Sequence, residues 1–344
     1  MRHVITAWSK SGDSVFESNI PLVFNGERNR RLGSRAGFDI LFLEGLNLLS
    51  EDYRHRLSML GYQLHNMENS YRQLENKYSI LAQFGDYEQK CFLRWLAIRD
   101  FYGEEPFVHY DADIVFNAIP DEIESDFTGL TFILQGCPAY VRVEDPAWLE
   151  SYEVELNRFV VNVETYSADA WRQRSDFVAT VQERNGSLWA RRILSSDQDF
   201  MQFLSLSGRL PHADAATVNE RCSTALFQNP LVIGSDVQIP LPLHYERRDG
   251  IDYIGGRKVA FWHMQNDFSN YLGYATFLNQ FGIGGRVPWV RAERPLSYLA
   301  YRGMTRFSSA YSRGQLMRQY FGDHSDDLVF LFNDKRFWQS GVFA

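Results

Sequence analysis

The chain has 344 residues, of which 45% are hydrophobic, 15% aromatic and 23% charged. This composition excludes a mostly disordered chain and a collagen-like or low-complexity one, and it supplies enough apolar residues for a sizeable core. The formal net charge is −8, so we do not expect the molecule as a whole to bind nucleic acid by electrostatic attraction.

The cysteines and the amino terminus bear on the cellular compartment. Cys91, Cys137 and Cys222 are widely spaced and form no CxxC pair, so we expect reduced thiols rather than a disulfide framework or a zinc site. The segment MRHVITAWSK lacks the apolar run of a signal peptide, and no window approaches a membrane-spanning helix. We therefore expect a cytoplasmic protein.

The first third of the chain alternates strand and helix patterns. HVITAW (3–8) predicts a buried first strand, and FDILFLEGLNLL (38–49) is compatible with a strand or a helix. Residues 50–84 predict a polar helical stretch. YEQKCFLRWLAIRDFYG (87–103) predicts a strong helix, and 107–116 predicts a strand broken in its middle by two carboxylates. Such a helix and strand form an α/β unit.

The alternation continues further along the chain. LTFILQ (130–135) and RFVVNVETY (158–166) predict strands, and residues 177–194 predict a hairpin that turns at an Asn-Gly pair. Residues 197–208 predict a helix, and 244–264 predict paired strands. Together these patterns favour a layered α/β fold.

Two carboxylates, Asp111 and Asp113, are the centre of the functional interpretation. They directly follow the apolar strand Phe107–Tyr110, which places them at the carboxyl end of a strand, where open α/β sheets bind ligands. Uncompensated charges there would be costly, so a cation is their natural partner. Oxygen ligands favour Mg²⁺ or Mn²⁺, which also bind substrate phosphates.

These residues also carry a resemblance to a known family. FVHYDADIVF (107–116) resembles the D-x-D strand of nucleotide-sugar-dependent glycosyltransferases of the GT-A fold, and KCFLRWLAIRDF (90–101) resembles the helix that precedes it. SSDQDFMQFL (195–204) is similar to the D-Q-D segment of the retaining, glycogenin-like branch. FWHMQND (261–267) stands where that branch has its late histidine. The resemblance implies a GT-A-like, Rossmann-type mixed sheet flanked by helices.

The resemblance, which does not extend to the last 80 residues, and the composition of those residues together predict a domain organisation. The catalytic domain would span about residues 1–275, with a nucleotide-sugar half at about 1–116 and an acceptor half at about 117–275. Residues 276–344 would form a mainly helical extension, and within it Gly284–Tyr320 carries a net charge of +6 from arginines interleaved with aromatic residues. This segment is a candidate for contact with an anionic or lipid-linked acceptor or a membrane surface, or for pairing with the acidic core.

The family pattern implies roles for individual acids and one histidine. Asp111 would contact the donor ribose and the metal, Asp113 would coordinate the metal, and His263 would supply a third ligand. Asp197 and Asp199 would position the acceptor, act as a base or stabilise the transition state. The alternative interpretations are a turn or helix-capping role for Asp113 and a buried structural role for His263.

Two further groups are candidates for donor binding. Thr6, Ala7 and Trp8 end the first predicted strand, where such enzymes place the nucleotide, although Trp8 is equally compatible with the core. Lys90 and Arg94 are four residues apart and share a helix face, from which they could contact donor phosphate or the acceptor. A surface pair is the alternative for these two residues.

The implied reaction is a metal-dependent transfer of a sugar, from a UDP-sugar in the first instance, to a glycan or lipid-linked glycan, with retention in the glycogenin-like branch. The main alternative is a phosphohydrolase of the haloacid-dehalogenase type, with Asp111 as nucleophile, Asp113 as acid/base and GDHSDD (322–327) as metal motif. A nucleotidyltransferase and a catalytically inactive scaffold are further alternatives.

Overall fold

The fold is taken from a computed structural model of the chain. The structure describes the residues in the following ranges: 1–9, 25–26, 29, 33–112, 114–127, 129, 131–133, 138–173, 194–210, 213–214, 224–226, 245–248, 251–254 and 256–263.

A mixed sheet forms the centre of the described part of the chain. Its strands are β1 (Arg2–Trp8), β2 (Gly37–Glu44), β3 (Tyr62–Asn66), β4 (Phe107–Tyr110), β6 (Phe132–Ile133), β7 (Tyr140–Val143) and β8 (Ala213–Asp214). The strand order is β3-β2-β1-β4-β7-β6-β8. The first four strands in this order are parallel, and β7 pairs antiparallel with β4. The chain therefore winds outward from β1 to β3 and then crosses to the other side of β1, which makes the β1–β4 boundary a topological switch point.

Helices flank this sheet. They are α1 (Glu51–Met59), α2 (Glu68–Lys77), α3 (Asp86–Tyr102), α4 (Pro120–Asp126), α5 (Ala147–Val161), α6 (Val163–Gln173) and α7 (Asp197–Leu206), with short 3-10 helices at Leu46–Leu48 and Ser79–Phe84. Helix α3 is buried around most of its circumference, since every residue from 89 to 98 is buried, including the polar Gln89, Lys90 and Arg94. It packs against β2 on one side and against α2, α5 and α7 on the others, and Phe92, Trp95 and Leu96 are fully buried there.

A second, smaller sheet adjoins the first where β4 ends. Its described strands are β5 (Ile114–Phe116), β9 (Thr224–Leu226), β10 (Tyr245–Arg248), β11 (Ile251–Ile254) and β12 (Arg257–His263). Strand β12 lies in the middle, antiparallel to β11 and β5 and parallel to β9. Only residues 111–113 separate β4 in the first sheet from β5 in the second, so the D-x-D segment is the link between the two sheets.

The α/β class predicted from the sequence is confirmed. The predicted first strand, the helix at 87–103, the helix at 197–208 and the paired strands at 244–264 are all present. The stretch 38–49, whose sequence was compatible with a strand or a helix, forms β2 followed by a short 3-10 helix.

Two secondary-structure predictions are wrong. RFVVNVETY (158–166), predicted as a strand, forms the end of α5 and the start of α6, because Tyr152, Leu156 and Phe159 repeat at helical spacing on the buried face of α5. The stretch 50–84 is not continuously helical, since Gly61, with φ of 94°, turns the chain into β3. The hairpin predicted at 177–194, apart from its last residue Leu194, and the extension at 276–344 lie outside the described residues, so the domain boundary near 275 stays a prediction.

Candidate functional site

The carboxyl ends of β1, β2 and β4 meet on one edge of the main sheet. Trp8 ends β1, Glu44 ends β2, and Asp111 directly follows β4. Because β1 and β4 flank the topological switch point, this edge is where a doubly wound sheet offers a crevice for a ligand. Trp8 and Asp111 lie at this edge, and three further predicted site residues reach it through ion pairs with Glu44 or within the Asp111 cluster: Lys90, Arg94 and Asp197.

Arg94 joins two of these elements through a buried cluster of charges. The Arg94 guanidinium lies on α3 and donates through Nη1 to Asp111 Oδ1 at 2.7 Å. On its other side, Nε and Nη2 lie 3.0 and 2.8 Å from Asp197 Oδ2 at the start of α7. The indole N–H of Trp95 donates to the same Asp197 oxygen at 3.0 Å. Arg94 and Asp197 are about 5% and 4% exposed, whereas the Asp111 side chain is 32% exposed.

The electrostatics of this cluster follow from its burial. Burial alone would lower the pKa of Arg94, but Asp197 and Asp111 together raise it well above its ordinary value, so the guanidinium stays charged. Burial raises the pKa of Asp197 above its usual range, although Arg94 and Trp95 favour the ionised form. The cluster thus holds one cation between two acids, and only Asp111 is open to solvent.

The turn that carries Asp111 is held by backbone hydrogen bonds. The Asp111 amide donates to the carbonyl of Ala139 at 2.7 Å, and the Ile114 amide donates to the carbonyl of Asp111 at 3.0 Å. His109 lies behind this turn, fully buried and tilted against Trp95, with Nε2 3.8 Å from Asp111 Oδ1. Burial, reinforced by Arg94, lowers the pKa of His109 to about 3, so its imidazole is neutral at pH 7.

The backbone also brings the predicted third metal ligand to the D-x-D turn. Strand β12 runs antiparallel to β5, and His263 stands opposite Ile114, the residue that follows Asp113. The side chain of Asn25 fixes β5 from the other direction, because it donates to the carbonyl of Ile114 and accepts from the amide of Phe116 at 2.8 Å. Asp113 and the side chain of His263 lie outside the described residues.

The alternative that Lys90 and Arg94 form a surface pair is wrong, because both side chains extend from α3 into the protein and are buried. Lys90 is 1% exposed, and its Nζ lies 3.3 Å from Glu44 Oε2 and 2.6 Å from Asp86 Oδ1. A buried ammonium group needs such partners to offset the loss of hydration. Direct contact of Lys90 with a ligand would therefore require an exchange of these ion pairs.

The three residues predicted at the end of β1 differ in their surroundings. Ala7 is buried, and the buried Thr6 Oγ1 has no hydrogen-bond partner among the described residues. Trp8 is partly buried against the core and meets the ring of Tyr87 edge-on, with 5.5 Å between the ring centroids. In the part of the chain that the structure describes, the partly buried Trp8 and the exposed Tyr87 place ring surface at the sheet edge.

Asp199 is separated in role from Asp197. Its backbone amide donates to Oγ of Ser196, the residue that caps the start of α7, and the Ser196 hydroxyl donates back to the Asp199 carboxylate at 3.1 Å. This arrangement is a helix-capping pair. Burial raises the pKa of Asp199 to about 6. The geometry thus gives Asp199 a structural role and leaves Asp197 as the acid that reaches the Arg94 cluster.

Sequence reasoning missed four residues of the site: Glu44, Tyr87, Trp95 and His109. Glu44 is the one with a readable signal, because it ends an apolar run and precedes Gly45, as an acid at a strand end would. The contributions of Trp95 and His109 depend on contacts between α3, α7 and β4 that no local pattern encodes.

The described residues contain neither a preformed metal-binding group nor a membrane-spanning helix. No three side chains of the metal-binding types His, Cys, Asp and Glu lie together among them, and two of the three predicted metal ligands fall outside that set. Within the same part of the chain, no helix has both the length and the apolar character that crossing a membrane requires. In comparisons with known proteins, no family model and no curated protein matches this chain.

Proposed function

We propose that this protein is a metal-dependent glycosyltransferase of the GT-A type, which transfers a sugar from a nucleotide-sugar donor, in the first instance a UDP-sugar, to a glycan or lipid-linked glycan. One observation carries the proposal. The segment Asp111–Asp113 leaves a parallel strand at the switch-point edge of the main sheet and leads directly into β5, which pairs with β12 where β12 ends at His263. Acids at that edge are suited to a cation and a diphosphate.

Asp111, Asp113 and His263 would hold the cation, which is Mn²⁺ or Mg²⁺. Carboxylate oxygens with one imidazole suit these ions, and Asp111 is partly open to solvent although Arg94 engages one of its oxygens. When bound, the cation supplies positive charge to the diphosphate leaving group. Arg94 holds the Asp111 carboxylate in one orientation, and the Asp111 turn is fixed by its backbone hydrogen bonds to Ala139 and Ile114.

Asp197 is only 4% exposed, so its proposed role is to position Arg94, and through it Asp111, rather than to touch the sugar. Three N–H donors converge on its Oδ2, two from Arg94 and one from Trp95, so the carboxylate has a fixed orientation. A fixed carboxylate of this kind preorganises the charged groups around the reacting atoms. This role is compatible with retention of configuration, which the D-Q-D resemblance implies.

The phosphohydrolase alternative depends on a second motif at 322–327, which lies outside the described residues. It remains an outcome of the test. The arginine-rich segment 284–320 also lies outside them, so acceptor contact through that segment stays a prediction.

Thermal unfolding with a panel of nucleotides and nucleotide-sugars, each with and without Mn²⁺, tests the proposed function. A ligand that binds only the folded state raises the melting temperature. We expect a nucleoside diphosphate or its sugar to do so only with Mn²⁺, and Asp113→Asn to remove both this shift and sugar transfer without lowering the melting temperature of the unliganded protein. Asp100→Asn, near the far end of α3, is the matched control.

Two results would contradict the proposal. The first is the absence of a shift with every nucleotide and nucleotide-sugar in the panel. The second is an Asp113→Asn variant that keeps full transfer activity. Rapid hydrolysis of a generic phosphate ester with Mg²⁺ would instead favour the phosphohydrolase.

A further inference from the structure

A second cluster of side chains lies beside the D-x-D turn, where β1 and β2 end. We call it the Glu44 cluster, and its members are Trp8, Glu44, Tyr71, Tyr87 and Lys90. The two strand ends meet across a register shift, since Ala7 pairs with Phe42 and the next residue, Trp8, pairs with Glu44. The Ser9 amide donates to the carbonyl of Glu44 at 3.1 Å, which ties the two ends together.

Gly45 makes this junction tight. Its φ is 87°, and a Cβ atom at this position would lie 2.0 Å from the carbonyl oxygen of Ser9. Only glycine tolerates both the left-handed backbone and this close approach. The relative positions of Trp8 and Glu44 are therefore set by the backbone.

Lys90 holds the Glu44 carboxylate from inside the protein. Lys90 Nζ lies 3.3 Å from Glu44 Oε2, and the Glu44 side chain is 27% exposed while that of Lys90 is 1% exposed. An ionised carboxylate can accept about four hydrogen bonds. Glu44 thus presents a partly exposed carboxylate at the sheet edge, with capacity left for hydroxyl donors. Nearby, the hydroxyl of Tyr71 is buried and has no hydrogen-bond partner among the described residues.

An aromatic surface lies next to this carboxylate. Tyr87, on the first turn of α3, is 62% exposed and meets Trp8 edge-on at 5.5 Å. Exposed aromatic rings bind nucleobases by stacking, and a carboxylate at the end of the second strand of a doubly wound sheet binds a ribose diol. The cluster combines both features at one edge.

We propose that Glu44 recognises the ribose of the donor nucleotide by accepting hydrogen bonds from its hydroxyl groups, with Lys90 as a positioning residue. The ligand class is a ribonucleoside diphosphate, and the site discriminates against the 2′-deoxy form. This inference rests on the proposed function. It also shifts ribose recognition from Asp111, whose Oδ1 is engaged by Arg94, to the neighbouring strand end.

Isothermal titration calorimetry with the full chain and Mn²⁺ tests the inference. The four ligands are UDP, 2′-deoxy-UDP, GDP and 2′-deoxy-GDP. Whichever nucleotide binds, we expect its ribose form to bind at least about tenfold more tightly than its 2′-deoxy form. A difference of about tenfold is the minimum expected for hydrogen bonds to a charged group. Glu44→Gln should weaken only the ribose form and bring the two affinities to within about twofold, well under the tenfold that one such hydrogen bond provides.

Asp86→Asn is the matched control, because Asp86 is the other acid on Lys90 but lies on α3 rather than at a strand end. It should keep the preference for ribose. If Glu44→Gln does not fold, Glu44→Asp keeps the charge beside Lys90, shortens the reach by one methylene and should also lose the preference. Equal affinities in the unmodified protein, or an unchanged preference in the Glu44 variant, would overturn the inference and leave the proposed function standing. Absence of binding by all four nucleotides would overturn both.

Discussion

Replacing Arg94 with leucine tests whether one buried guanidinium balances the charges of the candidate site. Arg94 and Asp197 are both almost fully buried, and their ion pair has oxygen–nitrogen distances of 2.8 and 3.0 Å. In the variant, Asp197 would keep the hydrogen bond that it accepts from the indole N–H of Trp95.

The size of the effect follows from this burial. Removing one partner of a buried ion pair costs about 3–5 kcal/mol, because the other charge remains without compensation. The second partner, Asp111, is 32% exposed, so water can replace most of that interaction and its contribution is small. We therefore expect Arg94→Leu to lower the free energy of unfolding by about 3–5 kcal/mol, a large share of the roughly 5–15 kcal/mol of a typical domain.

Urea unfolding followed by circular dichroism measures this change, with Arg172→Leu as the control. Arg172 pairs with Asp169 on α6, and their side chains are 72% and 45% exposed. Exposed ion pairs contribute about 0–1 kcal/mol, so the control should lose at most about 1 kcal/mol. Equal losses in the two variants would refute the electrostatic account of the cluster.

The pH dependence gives a second test of the same variant. Burial already raises the pKa of Asp197, and without Arg94 this pKa rises further. An acid whose pKa is raised in the folded state stabilises that state below its unfolded pKa, and this contribution is lost as pH rises through the folded pKa. The deficit of Arg94→Leu relative to the unmodified protein should therefore grow with pH, and adding Asp197→Asn should reduce it. A deficit that is the same at all pH values would contradict this reasoning.

Two further predictions concern the backbone and the capping acid. Gly45→Ala should destabilise the protein by more than about 2 kcal/mol in thermal unfolding, because the new Cβ atom would meet Ser9. Gly61→Ala is the comparison: Gly61 also has a positive φ, of 94°, but no atom lies near its Cβ position, so this variant should cost only the backbone strain of about 1–2 kcal/mol. Equal losses in the two variants would contradict the close approach at Gly45. The pKa of Asp199 is raised to about 6, so the stability it contributes is complete below the unfolded pKa and is lost as pH rises to about 6. The free energy of unfolding of Asp199→Asn should therefore rise relative to that of the unmodified protein between about pH 4 and 6, and the difference between the two proteins should be constant above about pH 7. A difference that does not change with pH would refute this assignment.

The fold was predictable where local signals agree with tertiary packing. Strand β1 and helix α3 have strong apolar patterns, and Gly103, with a φ of 62°, ends α3 as expected of a glycine after a helix. The prediction of a strand at 158–166 failed because the valines of this segment favour strands locally, while the buried face of α5 requires a helix. The strand β3 was missed because its five residues carry few apolar positions inside a polar, helix-like stretch.

The site was predictable in position but not in its internal contacts. The order of strand and acids predicted Asp111 at a sheet edge. The resemblance implied that His263 approaches the D-x-D turn, and in the structure His263 pairs with Ile114, the residue after that turn. That Arg94 is buried between Asp111 and Asp197 could not be predicted, since these residues are joined only by the packing of α3 against α7. Glu44 was missed because the sequence left its segment undecided between strand and helix.

Electron paramagnetic resonance of Mn²⁺ titrated with the full chain tests the central claim most directly, since free Mn²⁺ gives a signal that bound Mn²⁺ loses. If Asp111 and Asp113 share a cation with a nucleoside diphosphate, adding UDP or the nucleotide that stabilises the protein should strongly increase Mn²⁺ binding, and Asp113→Asn should abolish the increase. Mn²⁺ binding that is unaffected by every nucleotide, or that is equally tight in Asp113→Asn, would contradict the account.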